Sequence, residues 1–302
     1  MSRYFARLHL GLLLLQALLR IQVVRWQLTL LSALVLVSLT ACASSPLIGE
    51  AKTQSDALLS QQFVAASQTV GTQAPQGRIL YAGFAMHAES KAFRSDVLTV
   101  EKAVRAIDPN AVVFKLDNPV AGTPADWPFA TFENIDRVIK RLNILASPKD
   151  KVVILISTHG NVNQLGININ QQNYSPVTPV MLNASLAALR NQPTLLLLSA
   201  CHSGSFIKPL TQPQRIIMTA AAADRVSFGC NFKSTNTYFI DAMFNQPGLL
   251  DKSLNMLMGN SLDIIKKREQ QMNLKPPSNP QMNVGVDSAS WASLLLKDWV
   301  KP

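Results

Sequence analysis

The chain has 302 residues, of which 48% are hydrophobic and 15% are charged, and its 28 Lys and Arg exceed its 18 Asp and Glu. This length is enough for one large domain with accessory segments. The basic residues are spread thinly and do not form runs with interleaved aromatic residues, so the positive charge does not indicate nucleic-acid binding.

The first 42 residues differ in composition from the rest of the chain. They contain four arginines, no acidic residue and two leucine-rich stretches, the second of which spans 12 residues at 28–39. A mostly apolar stretch of 12 residues suits the core of a signal peptide better than a bilayer-spanning helix of about 20 residues. The earlier leucine-rich stretch leaves open a second membrane segment or a later translation start.

The tetrapeptide Leu39-Thr40-Ala41-Cys42 follows this apolar core. It resembles the bacterial lipobox, in which signal peptidase cuts before a cysteine that carries a diacylglyceryl group. We therefore expect residues 1–41 to be a lipoprotein signal peptide and Cys42 to be the lipidated anchor; the alternative is an uncleaved anchor with an unmodified Cys42. Such a lipoprotein faces the periplasm, and the lack of Asp at position 43 favours the outer membrane over the inner membrane.

The remaining chain divides into a polar segment and a regular α/β pattern. Residues 42–76 are rich in Ser, Gln, Ala and Thr, which predicts a lipid-anchored tether with a loosely packed helix at 50–70. In residues 77–302 apolar strands alternate with helices, which is typical of a mostly parallel sheet covered by helices on both faces. The predicted strands are 78–84, 111–117, 151–158, 194–200 and 215–221, and the predicted helices are 89–107, 131–145, 178–190, 235–246 and 252–273. A loop region is expected between 158 and 178.

Two of the buried strands end in groups that can do chemistry. The strand at 151–158 runs into His159-Gly160, and the strand at 194–200 runs into Cys201. A right-handed crossover would make these strands neighbours whose ends open on the same edge of the sheet. An imidazole beside a thiol favours thiolate attack on a carbonyl group and protonation of the departing amine.

Other roles for the same residues are possible. Cys201 and Cys230 could form a disulfide in an oxidising compartment. Zinc binding by the two cysteines with His159 and His202 is not predicted, because the chain lacks CxxC and HxxxH spacings. His202 is expected to face solvent or to support the site, since neighbouring residues at a strand end point in opposite directions. Cys230 is expected to be a packed thiol.

His159-Gly160 and the motif Ala200-Cys201-x-Ser203-Gly204 resemble the catalytic motifs of the legumain-like cysteine peptidases, also called asparaginyl endopeptidases. That family has a caspase-like fold. Blocks at 219–230, 236–244 and 277–285 resemble further segments of the family, the last one in its bacterial lipoprotein branch, so the resemblance spans residues 78–287. It implies a caspase-like domain preceded by the signal peptide and tether.

The resemblance also implies roles for individual residues. Cys201 would be the nucleophile and His159 the acid and base of a thiol protease, with the backbone amides of Gly160 and Cys201 as the oxyanion hole. No metal or organic cofactor is implied. The partners would be a peptide or protein substrate, cleaved after Asn or Asp, and the membrane through Cys42. The implied substrate-binding residues are Arg94, Ser227, Asp241 and Ser199.

The chain departs from the family at three positions. Ser199 stands where legumains have a glutamate, Thr158 where they have an aspartate, and Ala85 where they have an asparagine. Without the glutamate at position 199, a strict preference for asparagine is not expected. Without the aspartate at 158 and the asparagine at 85, the Cys/His dyad lacks those supporting side chains. These departures favour an alternative, a catalytically silent envelope lipoprotein that uses the fold as a binding module. A transpeptidase with the same dyad is a second alternative.

Overall fold

The computed structural model describes residues 49–70, 77–120, 122 and 125–300. The expected signal peptide at 1–41 and Cys42 lie outside the described residues. The chain divides into two compact units, Met1–Lys52 and Thr53–Pro302, and the second contains every described strand. None of the described helices combines the length and the apolar character needed to span a bilayer.

The central feature is a six-stranded sheet in which the first five strands are parallel. In order across the sheet, the strands are β2 (Val112–Asp117), β1 (Ile79–Ala85), β3 (Lys151–Ser157), β7 (Thr194–Ser199), β8 (Arg215–Thr219) and β9 (Gln281–Val284). The last strand runs antiparallel to its neighbour. The strands β1, β7 and β8 are buried at every residue, which explains their continuous apolar sequences.

Helices cover both faces of this sheet, which confirms the predicted fold class. One face packs on buried residues of helices that include Phe93, Val97 and Phe239, and helix residues such as Val138 and Leu182 are buried as well. The helices are α1 (Gly49–Val70), α2 (Lys91–Ile107), α3 (Phe132–Leu145), α4 (Pro179–Leu186), α5 (Ile207–Leu210), α6 (Tyr238–Phe244), α7 (Leu254–Gln271) and α8 (Ala289–Ser293).

Capping side chains decide where several helices begin. The side chains of Ser90 and Thr237 accept hydrogen bonds from backbone N–H groups of the first turns of α2 and α6. A capping residue lies outside the helix, so these helices start later than the sequence pattern predicts.

The segment between β3 and α4 differs from the expected loop. It forms a small antiparallel sheet of β4 (Gly160–Asn161), β5 (Gln164–Ile169) and β6 (Gln172–Val177). Asn170 and Gln171 connect the last two strands with φ angles of 51° and 65°. A two-residue hairpin turn with both residues in the left-handed region matches the twist of the strands it joins.

The helix expected at 50–70 is present and is tied to the domain. Leu59 is fully buried, and the Gln62 side chain donates to the carbonyl oxygen of Lys115 and accepts from its N–H. Phe63 packs edge-on against Phe114, with 5.8 Å between ring centroids. This helix therefore covers the outer edge of β2, where unpaired backbone groups would otherwise be exposed.

Candidate active site

The strands that precede His159 and Cys201 are direct neighbours. Ser157 in β3 is the register partner of Ser199 in β7, and the N–H of Thr158 donates to the carbonyl oxygen of Ser199 at 3.1 Å. Both strands are parallel, so their carboxyl ends lie at the same edge of the sheet. The predicted adjacency of the two strand ends is confirmed.

The backbone segments just beyond these strands touch at Gly160 and Cys201. A Cβ atom placed on Gly160 would lie 2.3 Å from the carbonyl oxygen of Cys201 and 3.0 Å from Cβ of Ala200. No side chain fits in this space, so only glycine lets the two segments approach so closely.

His159 is held by the hairpin that follows it. Its carbonyl oxygen accepts from the N–H of Gly166 at 2.8 Å, and the Thr158 hydroxyl donates to the Gly166 carbonyl at 2.7 Å. The imidazole contacts Phe93, with ring centroids 5.0 Å apart. Burial lowers the pKa of His159. The Glu89 carboxylate, whose Oε2 lies 3.5 Å from Nε2, offsets only part of this decrease. The ring is therefore mostly neutral near pH 7 and able to accept a proton.

The Cys201 sulfur faces the segment at Ser227. The N–H of Ser227 donates to Sγ at 3.2 Å, and the Ser227 hydroxyl lies 3.6 Å from the same sulfur. Cys201 and Cys230 are both free thiols, so the alternative disulfide is not formed. Burial, together with the nearby Cys201 and Asp96, raises the pKa of Cys230 to about 11.

The turn after Cys201 is held by hydrogen bonds to the segment 221–225, which follows β8. His202 has a φ of 57°, its N–H donates to the carbonyl oxygen of Arg225 at 2.7 Å, and its Nδ1 lies 3.1 Å from the carbonyl oxygen of Ala223. The N–H of Gly204 donates to the carbonyl oxygen of Ala221 at 2.9 Å. His202 thus supports the turn that presents the cysteine.

A buried carboxylate, Asp96, joins the ends of β3 and β7 to the start of α6. It accepts hydrogen bonds from the Ser157 hydroxyl at 2.7 Å, from the Thr237 hydroxyl at 2.8 Å, and from the Thr237 N–H and the Asn236 amide at 3.0 Å. Burial raises the pKa of Asp96 to about 6, although these hydrogen bonds oppose the shift. Sequence reasoning missed Asp96, because a single aspartate in an amphipathic helix carries no sign of its partners.

The residues implied as substrate-binding have different surroundings. Ser227 lies against the cysteine, as described above. Ser199 is 1% exposed, and its hydroxyl lies 2.8 Å from that of Thr237 and 3.5 Å from Oδ2 of Asp96. Its hydroxyl is thus engaged within the protein interior, beneath the edge of the sheet.

Arg94 and Asp241 are each engaged in an ion pair. Arg94 donates to Asp117 at 2.8 Å and to Asp126 at 2.9 Å. Its guanidinium group also stacks on Trp127, 3.9 Å from the ring centroid. Asp241 accepts from Arg268 at 2.7 Å. A substrate side chain would have to compete with these partners for either residue.

Two further residues beside His159 escaped the sequence analysis. His87 lies with its ring centroid 4.6 Å from that of His159, and Glu89 approaches the same imidazole. Both follow β1, which pairs with β3 in parallel and therefore ends at the same edge. The strand-end reasoning used for His159 and Cys201 would have found them if it had been applied to β1.

One family model matches a segment of the chain that contains both motifs. Residues 134–275, slightly less than half of the chain, match the model of the Peptidase C13 family. A search of curated proteins found no match. Among solved structures, the chain is similar to caspase-1 from Spodoptera frugiperda, at 12% identity over 71% of this chain and 88% of that chain, with a TM-score of 0.48. The segment that carries His159 and Cys201 thus matches the Peptidase C13 family, the family of the legumain-like cysteine peptidases.

Proposed function

We propose that the protein hydrolyses peptide bonds with Cys201 as the nucleophile and His159 as the general acid and base. The main support is the contact between the backbones of Gly160 and Cys201, because it joins the two motifs at one edge of the sheet. The Peptidase C13 match includes both residues.

The chemistry follows from these two groups. The Cys201 proton passes to His159, and the sulfur attacks the carbonyl carbon of the scissile bond. The C–N bond then breaks, and His159 gives the proton to the departing amine, which leaves a thioester. Water next gives a proton to His159 and attacks the thioester, which releases the acid and restores the thiol. Backbone N–H groups of Gly160 and Cys201 are the proposed donors to the oxyanion in both steps.

Cleavage after Asn or Asp is the second part of the proposal. It rests on the family resemblance and on Ser227, whose hydroxyl lies 3.6 Å from the sulfur and so within reach of a substrate attached there. Arg94 and Asp241 would contribute only if the substrate displaced their present partners.

A panel of fluorogenic peptides that differ in the residue before the scissile bond tests both parts. We expect the full chain, purified in mild detergent, to cleave after Asn or Asp, and Cys201→Ala to lower kcat/KM by about 10³-fold or more. Cys230→Ala is the matched control and should retain activity. Equal activity of the wild type and Cys201→Ala would refute the mechanism, whereas cleavage after other residues would refute only the specificity.

We also propose that Cys42 anchors the protein to the envelope, at the outer membrane. The support is the sequence Leu39-Thr40-Ala41-Cys42 directly after an apolar core. Cys42→Ser should block processing, so that the protein keeps residues 1–41 and loses the lipid label. Mass spectrometry of the N-terminus measures processing. Normal processing of this variant would rule the lipobox out.

A further inference from the structure

His87 is a buried histidine, and one of its ring nitrogens forms no hydrogen bond within the described part of the chain. The residue is 8% exposed, and its Nδ1 has no hydrogen-bond partner among the described residues. A buried polar atom that lacks a partner is unfavourable, because it has lost its hydrogen bonds to water. The side chain is held in place by the rings of Phe93 and His159, whose centroids lie 6.2 and 4.6 Å away. Its unpaired nitrogen therefore points to a ligand.

Glu89 and His159 offer further metal-ligating atoms beside His87. Oε2 of Glu89 lies 4.0 Å from Nδ1 of His87 and 3.5 Å from Nε2 of His159. Ligand atoms of the three residues all lie within 4.8 Å of one another. Ligands of a tetrahedral zinc ion, bound at about 2.0–2.2 Å, are separated by about 3.3–3.5 Å. The Glu89 side chain is 63% exposed, so it is free to move closer to the two imidazoles.

We propose that His87, Glu89 and His159 bind a divalent transition-metal ion of the Zn²⁺ type, and that this ion inhibits the peptidase. Two neutral imidazoles and one carboxylate, with a fourth position open to water, are a common donor set for zinc in proteins. The inhibitory role rests on the proposed function, in which His159 carries the proton. A metal ion on Nε2 occupies the lone pair of that nitrogen and adds positive charge beside the ring, which opposes protonation of the imidazole.

Zn²⁺ binding is measured directly on the full chain in mild detergent, by competition with a chromogenic chelator. We expect one Zn²⁺ per chain in the wild type and in Cys201→Ala. Glu89→Gln and His87→Ala should each weaken binding by about 10-fold or more, since each removes one of three protein ligands. His202→Ala, which changes a histidine outside the proposed ligand set, should bind as the wild type does.

A second measurement separates this site from the thiols. Co²⁺ in the proposed site should give ligand-field absorption without the charge-transfer band of thiolate ligation, and Glu89→Gln should lose that spectrum. Unchanged Zn²⁺ affinity in both Glu89→Gln and His87→Ala, or loss of binding in Cys201→Ala, would overturn the proposal. Thermal unfolding with and without Zn²⁺ shows whether His87→Ala and Glu89→Gln fold; the second variant changes a side chain that is 63% exposed.

Peptidase assays then test inhibition. Wild-type activity should fall as the binding site fills, and Glu89→Gln should need about 10-fold more Zn²⁺ for the same fractional loss. Full occupancy without loss of activity would overturn the inhibitory role. If the protein shows no peptidase activity, the proposed function fails, while the binding and Co²⁺ measurements still decide whether the metal site exists.

Discussion

The hydroxyl of Ser157, the last residue of β3, donates to the buried carboxylate of Asp96 at 2.7 Å. Thr237 and Asn236 donate to the same carboxylate, so one side chain from α2 joins the end of β3 to the start of α6. The ends of β3 and β7 carry the histidine and the cysteine. The hydrogen bonds to Asp96 thus help to hold the edge of the sheet from which both reactive side chains emerge.

Asp96→Asn should change how stability depends on pH. Burial raises the pKa of Asp96 from 3.8 to about 6, so the folded state binds this proton more tightly than the unfolded chain does. Folding therefore gains stability from this residue as the pH falls through 6, and the gain is complete below the unfolded value. Between pH 7.5 and 4.5 the unfolding free energy of the wild type should rise by about 2 kcal/mol relative to Asp96→Asn, as measured by urea unfolding.

The control for this prediction is Asp263→Asn, which changes an exposed carboxylate on α7. Its stability should follow that of the wild type across the same pH range. Parallel pH curves for the wild type and Asp96→Asn would contradict the prediction.

Gly160→Ala should disrupt the contact that brings the two motifs together. The added Cβ would meet the Cys201 carbonyl oxygen at 2.3 Å, and a backbone atom cannot move aside as a flexible side chain can. We expect a loss of about 1–3 kcal/mol in stability and of about 10²-fold in kcat/KM, because the reacting groups are displaced. Thermal unfolding and peptide cleavage measure the two effects.

Gly259→Ala is the matched glycine control. Gly259 is an exposed residue in α7, and a Cβ there has no neighbour within 4 Å. Alanine is the better helix former, so this change should stabilise the protein by about 0.5–1 kcal/mol. Wild-type activity in Gly160→Ala would show that the close approach at Cys201 is not required.

Alkylation should distinguish the two cysteines of the catalytic domain. The pKa of Cys230 is raised to about 11, chiefly by burial, so very little of this thiol is ionised at pH 7.5. Iodoacetamide should modify Cys201 at least about 10-fold faster than Cys230, because the thiolate is the reactive form. Peptide mapping by mass spectrometry measures both rates, and Cys201→Ala should remove the fast reaction. A Cys201–Cys230 disulfide as the major form in protein isolated without reductant would favour the binding-module alternative.

Ser199→Ala should affect stability more than specificity. The Ser199 side chain is buried, and its hydroxyl forms hydrogen bonds with Thr237 and Asp96. Removing the hydroxyl should therefore lower the free energy of unfolding by about 1 kcal/mol. The ratio of cleavage after Asn to cleavage after Asp should stay as in the wild type. A change in that ratio, with unchanged urea unfolding, would show instead that Ser199 contacts the substrate.

Much of the fold could be predicted from local sequence. A strand buried on both faces needs apolar residues at nearly every position, and the runs at 151–157 and 194–199 meet that need. The positions of His159 and Cys201 after those runs follow directly, since parallel strands end at one edge of the sheet. The lipobox at Leu39–Cys42 is likewise a local pattern, and it remains a prediction.

Other features depend on which elements the tertiary structure brings together. The pairing of β1 with β3 places His87 and Glu89 beside His159, and the packing of α2 brings Asp96 to Ser157 and Thr237. Arg94, on α2, forms an ion pair with Asp117, the last residue of β2. Local sequence determines burial and strand ends because these follow from residue type and spacing. The partner of a polar side chain is decided by packing between segments distant in sequence, and only the tertiary structure contains that information.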